Sequence, residues 1–492
     1  MTRGCVQFRR RGRIVRLEAF SPQSTLLDWL RIEERSTGTK EGCAEGDCSA
    51  CTVVVARERD GRLQYEPVNA CIVTLGQLDG AELITVEDLA HEGRLHPVQT
   101  AMAAGHGSQC GFCTPGIVMS LFAHFHSEGD RTDRGGINDA LAGNLCRCTG
   151  YRSIVDAARK ACAGPASDHF TTREAETLAA LKELNDGVDI FVGNETRFFA
   201  APASEASLAS LFQRHPDARI IGGATDVGLW ITKKLLNIDK IIHVGRAGLD
   251  AIEETADAVN IGASVTLARA TSSLGSIDPD IAEILRRFGS VQVRTAGTVG
   301  GSIANGSPIG DLAPLFIALG GSVELRMGER IRTLPLEQFF ISYGKQDREA
   351  GEFVRRLIVP KLPAGTFFRA FKISKRFDED ITTVLGAFRI GIEHGRIASA
   401  RVAFGGMAAT PKRASAVERQ LAGAALHDVD AWRSAAERVG DDFTPLTDMR
   451  ASAEYRLRVA KNIVTKALAE IAGGPRPATR ILDRQETVHV AD

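Results

Sequence analysis

The first seventeen residues alternate. Val6, Phe8, Val15 and Leu17 are interleaved with Arg9, Arg10, Arg11, Arg13 and Arg16. A period of two with charge on the other face predicts a β-hairpin whose arginines form a solvated basic edge. Residues 25–32 then switch to helical spacing, with Leu26, Leu27 and Leu30 on one face and Ser24 placed as N-cap. Residues 52–56 are a β-branched run that predicts a strand, and 68–75 form a second apolar stretch. Four short helices are predicted at 97–104, 115–125, 137–142 and 153–162, the second opened by Pro115 and carrying Ile117, Leu121 and Phe122 inward. A polar break at 164–168 leads to a helix and linker before a new region begins near Phe191. Stretches 367–374, 382–390 and 398–404 alternate as antiparallel strands do. Helices are predicted around 411–424, 429–439 and 452–471, and the Pro- and Arg-rich tail from Gly473 reads as loose.

Composition adds mainly exclusions. The net charge of −1 gives no global attraction for nucleic acid or anionic lipid. No segment approaches the roughly 18 consecutive apolar residues of a membrane helix. The charged N-terminus has no apolar run behind it, so no secretory signal is read there and a cytoplasmic location is expected. Thiols stay reduced in that compartment, so clustered cysteines argue for metal rather than disulfides.

Eight of the ten cysteines fall in two groups, with Cys5 and Cys162 left over as isolated small apolar residues. The first group is Cys43-x4-Cys48-x2-Cys51, then Cys71 after nineteen residues, a plant-type [2Fe–2S] spacing. Gly42, Ala44, Gly46, Ser49 and Ala50 are small enough for backbone N–H groups to approach the sulfurs. A structural zinc ion prefers paired Cys-x2-Cys knuckles and explains this spacing poorly. The second group, Cys110-x2-Cys113 and Cys146-x-Cys148, would alone suit zinc as well. Set among four helices, it would hold an anionic cluster near helix N-termini. The histidines form no metal-ligand set, and no acid–base pair, nucleophile elbow or Walker loop is present.

Two further stretches are glycine-rich: Ile220, Ile221, Gly222, Gly223, Ala224, Thr225, Asp226, Val227, and then 295–306, containing Thr298, Gly301 and Ser302. Neither is the G-x-G-x-x-G of a Rossmann site, but paired glycines let backbone N–H groups curl round a pyrophosphate.

The segments Glu41 to Cys51, Gln109 to Gly116 (QCGFCTPG) and Asn144 to Arg152 (NLCRCTGYR) resemble the signatures of the molybdenum hydroxylase family, which includes xanthine dehydrogenase, aldehyde oxidase and carbon monoxide dehydrogenase. The resemblance implies a multidomain α+β chain. Its parts are a β-grasp plant-type ferredoxin domain (1–87), a four-helix [2Fe–2S] bundle domain (88–165), a linker (166–190), a vanillyl-alcohol-oxidase-type FAD-binding domain (191–363), a C-terminal α+β flavoprotein subdomain (364–472) and a flexible tail (473–492). It implies two [2Fe–2S] clusters and FAD as cofactors, with Gln109 and Cys148 nearest the pterin of a molybdenum cofactor carried on a partner. It implies residues 220–227 along the FAD diphosphate, with Thr298, Gly301 and Ser302 opposite and Asp311 on a ribitol or ribose hydroxyl. Phe288 and Val354 would lie by the isoalloxazine and Lys372 near the flavin or adenine end. Ordinary packing accounts equally for these last three. No molybdenum domain follows, so a separate molybdopterin-binding large subunit is expected, in a dimer of two-chain units. The split is similar to that of the bacterial two-subunit members acting on hypoxanthine and xanthine with NAD+. An aldehyde or N-heterocycle hydroxylase, a partner-independent NADH-linked reductase, and a zinc-bearing scaffold are the rivals.

Overall fold

The computed structural model describes residues 2–473. The arginine-rich hairpin forms as read, Val6–Arg10 pairing antiparallel with Arg13–Leu17. It is one edge of a five-stranded sheet that continues through Glu82–Ile84, Thr52–Arg59 and Arg62–Asn69. The apolar run at 52–56 is continuous because both faces of that strand are covered. Val53 and Val55 join the core of the grasp domain, while Val54 and Ala56 join that of the helical domain.

Two local expectations are corrected. Thr25, not Ser24, caps the helix, its hydroxyl accepting from the N–H of Asp28; after Leu26–Asp28 the helix widens to a π-turn over Trp29–Glu33. Arg9 and Arg10 are not on a solvated edge. They are 3% and 4% exposed, Arg9 ion-paired to Glu82 and Glu176, and Arg10 to Glu34 and Asp88. Charge pattern alone could not show that helix Glu174–Leu184 covers this strand.

Helices Pro97–Ala104, Thr114–Phe125, Arg134–Leu141 and Arg152–Cys162 form the second domain around Phe122 and Phe125. Cys162 is buried there and Cys5 half-buried. The expected linker is helical for most of its length, His169–Thr172 and Glu174–Leu184.

The third domain holds two sheets. One has the order Thr2–Arg3, Asp189–Gly193, Phe198–Ala201, Lys240–His243, Arg219–Ile221. The first two residues described thus cross the 1–87 boundary and pair in parallel with Asp189 and Ile190. The other sheet is antiparallel, in the order Ile252–Glu254, Ala258–Gly262, Phe353–Pro360, Ser322–Met327, Arg330–Pro335. The C-terminal subdomain is a meander of Thr366–Ile373, Val384–Glu393 and Arg396–Gly405, backed by the long helix Ala453–Ala472. The tail expected at 473–492 lies outside the described residues beyond Gly473. No described helix is long and apolar enough to cross a membrane.

Candidate redox-cofactor sites

The first cysteine loop is shaped by left-handed backbone at Ala44, Gly46 and Ser49, with φ of 54°, 77° and 50°. This turns the N–H groups of Glu45 and Cys48 onto the Cys43 sulfur, at 3.4 Å each. Asn69 anchors the loop by donating to the Gly46 carbonyl at 2.9 Å. The thiol of Cys43 meets those of Cys48 and Cys71, and Cys71 meets Cys51 as well. Hydrogen bonds from Cys48 and Cys71 hold Cys43 far below the ordinary thiol range, and the same contacts push Cys48 and Cys71 up. Four such sulfurs can ionise together only with positive charge among them, which fits an iron-bearing core.

In the second group the thiols pair as Cys110 with Cys148 and Cys113 with Cys146. Cys113 is the N-cap of helix Thr114–Phe125. Burial, and then Cys146, raises its thiol to about 12. Tyr151 was quoted in the sequence motif without a role and proves central to this loop. It sits at φ 67°, accepts from the Cys146 N–H at 2.7 Å and donates to the Asn144 carbonyl at 3.1 Å. Cys110, Cys148 and the neighbouring Gln109 are exposed, whereas Cys51 and Cys71 are 1% and 2% exposed. A single tetrahedral ion with Zn–S near 2.3 Å would draw its sulfurs within about 4 Å of one another. Among the described residues the one trio of ligand atoms within 4.8 Å of each other is His96, His126 and Asp168. The sulfurs of the first group instead run as Cys48–Cys43–Cys71–Cys51 and those of the second as two pairs, an extended arrangement that suits a two-iron core better than one tetrahedral ion.

That trio escaped the sequence reading. Both imidazole Nε2 atoms lie 2.9 Å from the same Asp168 oxygen. His96 Nδ1 accepts from the Val98 N–H, so its Nε2 carries the proton and donates to Asp168. That tautomer has no lone pair for a metal at Nε2; the trio ties helices Pro97–Ala104 and Thr114–Phe125 to the linker.

A second buried knot joins three domains. The Gln292 amide, 1% exposed, donates to Ser120 at 2.9 Å and reaches Thr52 and Asn144 at 3.3 Å each. Asn144 in turn donates to the Ser49 carbonyl, and Leu145 N–H to the Cys48 carbonyl. The two cysteine loops are thereby bonded to each other. Close approach is possible because Gly116 has no side chain; a Cβ there would lie 2.3 Å from the Ser49 oxygen.

Residues 220–227 lie in the wall of a cavity of about 420 Å³, with Phe288, Thr298, Gly301, Ser302 and Val354 also lining it. A Cβ at Gly223 would stand 1.7 Å from the Ala296 carbonyl oxygen, so the two glycine-rich segments touch backbone to backbone. Arg219, Trp230 and Arg348 line the cavity too and carried no sequence signal. Arg219 stacks on Trp230 at 4.8 Å and adds positive charge. The cradle, its exposed amides and its cations suit a dinucleotide. Asp311 and Lys372 are not in this wall: they form a buried ion pair at 2.7 Å, with Thr382 donating to Asp311. Next to the cavity residue Val227, Gly228 packs on Ile72, the neighbour of Cys71: a Cβ there would meet the Ile72 carbonyl oxygen at 2.6 Å.

Family models match four consecutive parts of the chain: a 2Fe-2S iron-sulfur cluster binding domain (residues 8–75), a [2Fe-2S] binding domain (85–159), the FAD binding domain in molybdopterin dehydrogenase (194–362) and the CO dehydrogenase flavoprotein C-terminal domain (369–471). With these four domains in this order, the chain belongs to the molybdenum hydroxylase family of oxidoreductases, as its iron–sulfur and flavin portion. It is 32% identical to a xanthine dehydrogenase of Emericella nidulans, covering 86% of this chain and 35% of the relative, and 30% identical to a xanthine dehydrogenase/oxidase of Gallus gallus, covering 82% and 35%. The chain thus spans about a third of the length of these curated relatives. A solved Cu,Mo-CO dehydrogenase chain aligns with a TM-score of 0.53 at 25% identity, covering 56% of this chain and 97% of that one. A quinoline 2-oxidoreductase chain from Pseudomonas putida 86 aligns with 0.52 at 26% identity, covering 56% and 96%.

Proposed function

We propose that this chain is the electron-transfer subunit of a xanthine dehydrogenase. It would serve a molybdopterin-binding large subunit that oxidises hypoxanthine and xanthine to urate, with NAD+ as final acceptor and a dimer of two-chain units as the assembly. Cys43, Cys48, Cys51 and Cys71 would hold one cluster, and Cys110, Cys113, Cys146 and Cys148 the other. Residues 220–227 with Thr298, Gly301 and Ser302 would cradle FAD, and Phe288 and Val354 would flank its ring; the Asp311–Lys372 pair, buried outside this wall, would not touch it. Gln109 and Cys148 would face the partner. When bound, the clusters supply one-electron carriers and the flavin a carrier that stores a pair and can release it as hydride.

The observation that carries this reading is the contact chain between sites. Leu145 N–H bonds the Cys48 carbonyl, and Ile72, next to Cys71, packs on Gly228 at the flavin cavity. The exposed Cys110 and Cys148 would face a partner, and Cys51 and Cys71 are buried. The chain's own contribution is positional. Backbone N–H groups of Glu45 and Cys48 stabilise negative charge on sulfur, Tyr151 fixes the second loop, and the packed walls exclude water.

The test begins with anaerobically purified chain. About four irons and one FAD, with two distinct [2Fe–2S] EPR signals after reduction, support the cofactor assignment; zinc in place of iron overturns it. Urate formed from xanthine with NAD+, only when the large subunit is present, supports the substrate. The likeness to the quinoline 2-oxidoreductase chain favours a second reading, an N-heterocycle hydroxylase. Turnover of quinoline but not xanthine by the assembled enzyme selects it.

A further inference from the structure

Behind the flavin cavity lies a second one, of about 320 Å³, at the lower end of the roughly 300–1,000 Å³ typical of small-molecule sites. It opens on the seam between the grasp sheet, helix Glu174–Leu184 and the flavin domain. Gly222, Gly223 and Thr298 line both cavities, so one backbone layer separates them. Its polar wall has spare donors. Arg57 makes one hydrogen bond, from Nη2 to the Gln77 carbonyl, and a 3.5 Å ion pair from Nε to Glu66. His243 stacks on Phe199 and has no hydrogen-bond partner among the described residues. Its imidazole is kept neutral, pushed down to about 3 by burial and by the charges of Arg57 and Arg246. Ser264 is 7% exposed and its hydroxyl has no partner.

The wall also carries carboxylates, and each is already engaged. Glu66 pairs with Arg57 and Arg59, Asp79 with Arg3 and Arg246, and Asp250 with Arg59 and Arg269. Glu58 accepts from the Gly61 N–H. Apart from Asp79 Oδ2, which has only the 3.3 Å ion pair to Arg246, what remains unanswered on the wall is a guanidinium edge, an imidazole and a hydroxyl, from three separate segments. A phosphate group presents three strong acceptor oxygens and matches three such donors better than a two-oxygen carboxylate does.

We propose that this seam cavity binds a small phosphate-bearing anion through Arg57, His243 and Ser264. Because its back wall is the flavin cradle, occupancy is felt at the flavin. The site stands independently of which substrate the assembled enzyme oxidises.

The test is isothermal titration of inorganic phosphate, and in a separate arm AMP, into the iron- and FAD-loaded chain, with the flavin absorption spectrum followed in parallel. One saturable site, weakened about tenfold or more in Arg57→Met and less in Arg57→Lys, is expected; lysine keeps the charge but loses the fork. Ser264→Ala and His243→Phe each weaken it several-fold, and they decide the matter should Arg57→Met fail to load iron and FAD. AMP binding more than about tenfold tighter than phosphate identifies a nucleotide as the source, and equal affinity a free phosphate. The proposal is overturned by no saturable binding of either probe, by affinities unchanged in all the variants, or by binding that displaces FAD, which would put the anion in the flavin cavity.

Discussion

Single residues fix the cofactor cradles by what they leave out. Gly223 shows this most sharply, because a methyl there would occupy the Ala296 carbonyl oxygen, and two backbone segments cannot part cheaply. Gly223→Ala is therefore expected to destabilise the flavin domain by about 3 kcal/mol, the upper range for overpacking. It should also lower bound FAD while sparing the iron content, a split read from the flavin-to-iron ratio. Glu379 gives a pH prediction. Burial, reinforced by Asp47 and opposed by Arg294 and Arg376, raises its carboxyl from 4.5 to about 8. Below pH 4.5 both folded and unfolded chains hold this proton. Between 4.5 and 8 only the folded chain does, so its contribution to stability is lost as pH rises through that window. Glu379→Gln should leave stability at pH 4 unchanged and flatten the decline toward pH 8; melting curves with the same slope as the parent would sink the idea. Of the two, only Gly223 was singled out by the sequence. Gly223 was visible as part of a glycine pair, but what it abuts comes from 73 positions further on, and nothing near Glu379 in the chain signals burial.

Elements were legible where local rules govern. The helix over Thr114–Phe125 begins beside its proline, and the meander strands fall within three residues of their alternating stretches. Periodicity failed where a neighbour rather than a solvent boundary sets the burial. Arg9 and Arg10 read as an exposed edge and are covered by a helix nearly 170 residues away. The knot at Gln292 is of the same kind: its partners lie 240, 172 and 148 residues away, beyond any local pattern. Helix Val291–Ala296 thereby docks on both iron–sulfur domains at once. Gln292→Leu strips a donor from Ser120 and Asn144 inside a buried junction but also removes the unpartnered Gln292 Oε1, so a loss of about 1–2 kcal/mol is expected. It should also change the magnetic interaction between the two reduced clusters in EPR, because the loops that knot holds together carry the cysteines. A stability loss with an unchanged interaction would make the knot merely structural.

At the scale of the whole molecule, cysteine spacing announced two quartets, but their unequal depth emerges only from the assembled domains. The grasp domain, whose strand Thr52–Arg59 is covered on both faces, buries Cys51 and Cys71, while the helical domain leaves Cys110 and Cys148 at its surface. Loss of a cluster to a chelator or oxidant requires access to sulfur or iron, so depth becomes a rate. Treating the isolated loaded chain with a chelator under air should bleach the cluster of Cys110, Cys113, Cys146 and Cys148 first, leaving the other EPR signal and the FAD in place. Cys113→Ser identifies that signal beforehand by removing it. A partner seated over Gln109, Phe112 and Leu145, the last two 49% and 46% exposed, should slow the bleaching to the rate of the buried cluster. Simultaneous loss of both signals in the isolated chain would mean that the seam opens on the timescale of the experiment. The seam cavity and the Gln292 knot, each at a junction of the flavin domain with the grasp domain, would then be the places to look for the hinge.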